Sequence, residues 1–144
     1  MSYAVDVNLL LYASDAGSAQ HVAALAFLES CAADSELLCF GWPTVMGYLR
    51  MATHPSIFSR PLTPDEAVRN IESLLALPQV RVLSEGEDFW QHYRAVTADV
   101  PTRGNLVPDA HLAALLRQHG VKRLYTHDRD FRKFSFLDLR DPLS

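Results

Sequence analysis

Tyr3-Ala4-Val5-Asp6-Val7-Asn8-Leu9-Leu10-Leu11-Tyr12-Ala13 is the stretch whose reading decides the fold. Its first residues form a short apolar run that stops at an acid, and helical spacing follows over 9–13. A carboxylate pressed between an apolar strand and a leucine run is costly unless a ligand or strong partner compensates it. The unit therefore reads as strand, acid, helix. The alternation recurs: Leu37-Leu38-Cys39-Phe40 is a second short run closed by Gly41, and helical spacing follows over 42–53. Pro43 suits the first turn of that helix and His54-Pro55 its stop. Val80-Arg81-Val82-Leu83 alternates like a strand, and Lys122-Arg123-Leu124-Tyr125-Thr126 is another short strand ending near Asp128.

The helices between carry their own signals. The spacing predicts one over 18–32, with Ser18 as its cap. Thr63-Pro64-Asp65-Glu66 is a helix start with the elements of a capping box, and Val68, Ile71, Leu74 and Leu75 continue it as an apolar stripe until Pro78. Residues 87–98 form another helix with Phe89, Trp90, Tyr93 and Val96. Pro108-Asp109 opens a further one, closed by Gly120 as a C-cap. The tail carries Phe131, Phe134, Phe136 and Leu137 without a strand signal. Short strands separated by helices predict an α/β fold whose mostly parallel central sheet is covered on both faces. Ligands of such sheets bind beyond the carboxyl ends of the strands, which picks out Asp6 and Asp128.

Composition bounds the rest. A chain of 144 residues, 49% apolar and 21% charged, is one ordinary domain, 1–144, with no repeat or linker. Six glycines and eight prolines exclude a collagen or a Pro-rich spacer. No apolar run is long enough to cross a bilayer, and the start lacks the basic and apolar regions of a secretory signal; a soluble cytoplasmic protein is the expectation. Cys31 and Cys39 are too few for a disulfide framework and read as buried reduced thiols; no Cys/His cluster has zinc spacing. Net charge is −4, yet from Arg117 onward seven basic residues face four acids. A phosphate backbone could meet that end, but on charge alone a solvated surface is the favoured account.

Three acids stand apart: Asp6, Asp109 and Asp128, with Asp130 close behind the last. Gathering carboxylates is unfavourable because like charges repel. A divalent cation removes that objection; Mg²⁺ or Mn²⁺ prefers carboxylate oxygens, keeps waters, and lowers the pKa of a bound one. Asp109 and Asp128 each also fit a helix N-cap, which alone stabilises by roughly 1 kcal/mol. Asn8 could turn the chain, donate to Asp6 or hold a metal-bound water. Thr126 could hydrogen-bond an aspartate or a phosphate, or neither. His111 lies two residues from Asp109 and so points elsewhere, to packing. His127 is expected at the surface, and Trp42, Trp90 and Tyr93 in the core or an interface rather than as base-stacking platforms.

Four stretches together resemble the PIN-domain ribonucleases, and within them the VapC toxins of toxin–antitoxin pairs. They are Val5 through Ala13 above, Tyr48-Leu49-Arg50-Met51-Ala52-Thr53-His54-Pro55, Gly104-Asn105-Leu106-Val107-Pro108-Asp109-Ala110-His111-Leu112-Ala113-Ala114 and Thr126-His127-Asp128-Arg129-Asp130-Phe131. They come in the family's order across nearly the whole chain. The resemblance implies a three-layer α/β/α PIN fold and a Mg²⁺- or Mn²⁺-dependent endoribonuclease that hydrolyses RNA phosphodiesters with metal-activated water. It implies, too, a homodimer and a cognate VapB-type antitoxin. Asp6 matches the family's first-strand acid, Asp109 the acid opening the late helix and Asp128 the acid after the following strand; Asp130, Asn8 and Thr126 are auxiliary candidates. Arg129, Arg132 and Lys133 are candidates for RNA contact.

One departure stands out. The family usually has a Glu directly before the aromatic-aliphatic-Arg run; here Gly47 precedes Tyr48-Leu49-Arg50, and no acid lies between Glu36 and Asp65. Losing a ligand should weaken metal binding about 10-fold or more, by analogy with changes around known ligands. Two other readings follow. One is a PIN-like module that binds RNA or antitoxin without cutting, supported by Gly47. The other is a haloacid-dehalogenase-type phosphatase, which wants a second Asp two residues after the first, where this chain has Asn8.

Overall fold

A strand buried on both faces needs apolar side chains in both directions, and the β1 sequence supplies them. The computed structural model describes residues 1–143. In it β1 (Ser2–Val5) turns Tyr3 and Val5 into one apolar cluster and Ala4 into another. β2 (Leu37–Gly41) does the same, with Leu38 and Phe40 on the first side and Cys39 on the second. With β3 (Val80–Leu83), β4 (Arg123–Tyr125) and β5 (Asp138–Arg140) they form one five-stranded sheet in the order β3-β2-β1-β4-β5, every pair parallel.

The helices divide between the two faces. α1 (Val7–Ser14), α2 (His21–Ala33), α3 (Trp42–Ala52) and α4 (Pro64–Leu75) cover the side that holds Leu9, Leu10, Cys31, Tyr48, Ala52 and Ile71. α5 (Phe89–Val96) and α6 (Leu106–Gln118) cover the other, with Val96, Ala110, Ala113, Leu116 and Leu124. Parallel crossovers take one hand, so reversing direction along a sheet moves the helices to the opposite face. Here the chain runs outward from β1 to β3 and then returns to β4 on the far side of β1. The reversal makes the carboxyl ends of β1 and β4 the topological switch point, where side chains from both halves meet.

Local chemistry explains the boundaries. Asp6 caps α1 by accepting from the Val7 N–H at 2.8 Å, so that helix starts at Val7, ahead of the expected 9–13. Thr63 and Glu66 form both bonds of the capping box on α4. The buried face of α4 is Ala67 and Ile71; Val68, expected in the stripe, is exposed. Ser18 does not cap α2: its hydroxyl accepts from the Gln20 N–H in a preceding turn, and the helix starts at His21. α6 begins at Leu106, two residues before the expected Pro108. The ring fits there because first-turn N–H groups have no helical partner anyway. Asp109 is consequently inside the first turn and not a cap. Gly120, at φ 70°, closes α6 as the sequence indicated, with the Val121 N–H reaching back to the Leu116 carbonyl at 2.9 Å.

The tail contains what the sequence reading did not assign. A short 3-10 helix, Arg129–Lys133, buries Phe131, and β5 then adds an edge strand to β4. Cys31 and Cys39 are buried free thiols, as expected. Trp42 and Trp90 are not core residues: they are 42% and 62% exposed, and Trp90 stacks on Tyr93 with ring centroids 5.4 Å apart. No helix among the described residues is long and apolar enough to cross a membrane.

Candidate active site

β1 delivers Asp6 to the switch point, where it is 7% exposed. Both its oxygens are engaged: Oδ1 accepts the Val7 N–H at 2.8 Å, and Oδ2 accepts the Thr126 hydroxyl at 2.8 Å. Thr126 follows β4 and is itself buried. Its oxygen accepts the Asp128 N–H at 2.9 Å, and Asp128 Oδ1 accepts the Asp130 N–H at 2.9 Å. A continuous relay thus joins the end of β1 to the segment after β4. Asp128 is the N-cap of the 3-10 helix, so the structural role considered for it is real and coexists with its place in the site.

α6 brings the third acid. Asp109, in its first turn, has an oxygen within 4.8 Å of oxygens of Asp128 and Asp130, each within that distance of the others. Of the acids expected from sequence, Asp109 and Asp128 are therefore brought together directly, with Asp130 as their near neighbour. Asp6 lies deeper, beside Asp109 in a cleft of ≈ 130 Å³ whose other walls include Thr44, Gly47, Arg50, Met51 and Phe131.

The electrostatics follow from that crowding. Burial pushes the Asp6 carboxyl up to about 6, against the opposing pull of the Thr126 and Val7 hydrogen bonds. Asp109 is pushed up to about 7, first by burial and then by the charges of Asp128, Asp6 and Asp130; Lys133 pulls the other way. Such a donor set suits a hard divalent cation. It is all oxygen, Asp109, Asp128 and Asp130 bring ligand oxygens within 4.8 Å of one another, and it is destabilised by repulsion that a cation would remove.

Among the auxiliary residues, Asn8 lies in the first turn of α1, and its buried Oδ1 has no hydrogen-bond partner among the described residues. Thr126 bonds an aspartate, as one of its two weighed roles required. Arg129 and Arg132 are exposed and line a depression of ≈ 320 Å³ with Thr126, His127, Asp128 and Arg140. Lys133 is exposed and faces a separate recess with Arg117 and Phe134. His127 is half-buried rather than exposed, held at 2.8 Å from Asp141. His111 turns away from the acids to Glu85, 3.0 Å distant, and packs edge-on to Phe89. Arg50 in the cleft wall was legible only as part of a motif; the signal that could have placed it is its spacing of three from Gly47, which puts both on one helical face.

Comparison with known proteins agrees with this geometry. The PIN domain family matches residues 3–137. Ribonuclease VapC48 of Mycobacterium tuberculosis is 46% identical over 144 residues, covering 100% of this chain and 99% of that protein. Ribonuclease VapC43 of the same organism is 36% identical over 96% of this chain and 94% of its own length. The solved structure of M. tuberculosis VapC20, described as a sarcin-ricin-loop-cleaving toxin, superposes with a TM-score of 0.70 at 20% identity, covering 96% and 98% of the two chains. A chain of VapBC2 from Rickettsia felis, solved bound to promoter DNA, gives a TM-score of 0.71 at 14% identity and 98% coverage of each. With the strand-end acids, the switch-point topology and full-length identity all in agreement, the chain belongs to the PIN-domain family, among its VapC-type members.

Proposed function

We propose that this protein is the toxin of a type II toxin–antitoxin pair and acts as a Mg²⁺- or Mn²⁺-dependent endoribonuclease. The observation that carries the reading is the convergence of Asp109, Asp128 and Asp130 above the buried Asp6. Asp6, Asp109 and Asp128 would hold the ion, with Asp130 as auxiliary. Bound there, a divalent cation neutralises the acids and acidifies water toward attack on a phosphodiester. The chain's own part is preorganisation. Thr126 locks the Asp6 carboxylate, the relay through Asp128 fixes the β4 side, and α6 holds Asp109 against both. Without the ion the Asp109 carboxyl is pushed up to about 7 by burial and the neighbouring acids, a cost that a bound cation would remove. Arg129, Arg132 and Lys133 offer cations to the RNA backbone.

Solved relatives include VapBC assemblies, among them those of R. felis and of nontypeable Haemophilus influenzae, which supports a VapB-type antitoxin as this chain's partner. A homodimer acting in the cytoplasm completes the reading. A second reading, RNA or antitoxin binding without cleavage, draws on Gly47 in place of the family Glu. One experiment separates them: total RNA incubated with Mg²⁺ or Mn²⁺, wild type beside Asp6→Ala and Asp109→Ala. Cutting lost in both variants and in EDTA supports the nuclease. Cutting that survives EDTA rejects the metal route. RNA or antitoxin binding with no cutting by the wild type favours the second reading.

A further inference from the structure

Arg50 lies in the last turn of α3 and is exposed. It forms the wall of the same cleft that Asp6 and Asp109 floor. Its backbone carbonyl accepts from the Thr53 hydroxyl at 3.3 Å, but among the described residues its guanidinium takes part in none of the ion pairs or hydrogen bonds, so its five donors are free. Gly47, one turn earlier on that helix, leaves open the space that a side chain would occupy. A Cβ there would meet only the Met51 Cε at 3.5 Å and the Val7 Cγ2 at 3.9 Å. An acid at 47 would stand three residues from Arg50, within pairing reach on one helical face, and would compete for the guanidinium. With glycine there, the lining of one cleft combines carboxylates with an uncommitted planar cation.

Opposed charges in the lining of one small cleft are what a phosphodiester needs. Its oxygens cannot approach Asp6 and Asp109 unaided, because like charges repel. A guanidinium fork fits two phosphate oxygens at once, with a geometry an ammonium cannot reproduce. We propose that Arg50 is a catalytic residue that grips the scissile phosphate of the RNA and takes up the negative charge gathering on it as the bond to the leaving oxygen breaks. It does on the α3 side what a further cation would otherwise do. The inference rests on the ribonuclease reading, and it assigns to this chain a phosphate grip outside the depression that Arg129 and Arg132 line. The competing role is structural: a cation in the last turn of a helix favours its dipole by about 0.3–1 kcal/mol.

The test uses the full-length protein, with Arg50→Gln and Arg50→Lys beside wild type. Single-turnover cleavage of end-labelled total RNA is measured at saturating Mn²⁺, with Mn²⁺ affinity and melting temperature followed in parallel. Loss of one preorganised donor to developing charge costs on the order of 100-fold in rate. That loss is expected in Arg50→Gln, and most of it in Arg50→Lys, with Mn²⁺ affinity and melting temperature unchanged. Binding of a short mixed-sequence single-stranded RNA is followed against salt in the Asp109→Asn background, to prevent cutting. One phosphate contact changes the slope of log affinity against log salt by about 0.7. Arg50→Gln should lose that amount and Arg50→Lys should keep it. Wild-type cleavage in Arg50→Gln, or full rescue by Arg50→Lys, overturns the inference and leaves the ribonuclease reading standing. A lowered melting temperature that accounts for the lost rate also overturns it, in favour of the structural role. A wild type that neither binds nor cuts RNA removes the ribonuclease reading and this inference with it.

Discussion

Asp6→Asn should make the metal-free protein more stable, although it removes a side chain at the heart of the site. Burial holds the Asp6 carboxyl at about 6 in the fold, against an ordinary value of 3.8. Each pKa unit is worth about 1.4 kcal/mol, so at pH 7.5 keeping this carboxylate ionised in the fold costs about 3 kcal/mol. The side chain is only 7% exposed, so solvent screens little of that cost. Asparagine keeps the shape and the acceptor for the Val7 N–H. Its amide, however, turns a donor toward the Thr126 hydroxyl, and the loss of that bond costs about 1 kcal/mol. The net gain is about 2 kcal/mol at pH 7.5. For a chain of this size it corresponds to a melting temperature higher by about 4–8 °C. At pH 4.5 the fold already holds the proton, the electrostatic cost shrinks to about 1 kcal/mol, and the two effects cancel. Urea denaturation of both proteins in EDTA at the two pH values reads this directly. An Asp6→Asn protein no more stable than wild type at pH 7.5 would refute the claim that Asp6 is held ionised against its burial.

Further expectations follow from the same geometry. Because both Asp6 and Asp109 have folded values above the ordinary carboxylate value, the fold binds more protons than the unfolded chain between about pH 4 and pH 7. Metal-free stability therefore falls as pH rises through that window, and thermal melts in EDTA should show it. Mn²⁺ at a hundred times its dissociation constant should restore about 2.7 kcal/mol at pH 7.5, and should help much less at pH 5, where protons occupy the same oxygens. Thr126→Val removes the donor to Asp6 and the acceptor for the Asp128 N–H, and should cost about 2–3 kcal/mol by chemical denaturation while pushing the Asp6 carboxyl still higher. Thr63→Ala breaks the α4 capping box far from the acids; it should cost about 1 kcal/mol and leave Mn²⁺ affinity untouched.

Much of this was legible in the chain because local signals and tertiary needs agree. The strand-acid-helix unit around Asp6, the capping box at Thr63 and the turn at Gly120 each satisfy backbone groups with neighbours in sequence, so residue type alone exposes them. The start of α6 was hidden because Pro108-Asp109 imitates a helix opening, whereas the helix starts at Leu106 and tolerates the proline in its first turn. β5 escaped notice because Asp138 and Arg140 are charged, as edge strands permit, and a three-residue strand has almost no period to read. Asp6, Asp109 and Asp128 could be picked from their places at strand and helix ends. Their relative depth could not, since it depends on Thr126 drawing Asp6 inward while the Asp128–Asp130 turn faces out. Nor could sequence show that Arg50 shares their cleft: that follows from α3 packing beside α1 and α6.

The central claim is that distant acids meet to hold one divalent cation, and Mn²⁺ binding followed by electron paramagnetic resonance tests it without recourse to any RNA. Wild type should bind Mn²⁺ at neutral pH, and Asp109→Asn and Asp128→Asn should each weaken that binding by 10-fold or more, on the order found when metal-site residues are altered. Equal Mn²⁺ affinity in all three proteins, with each of them folded, would contradict it.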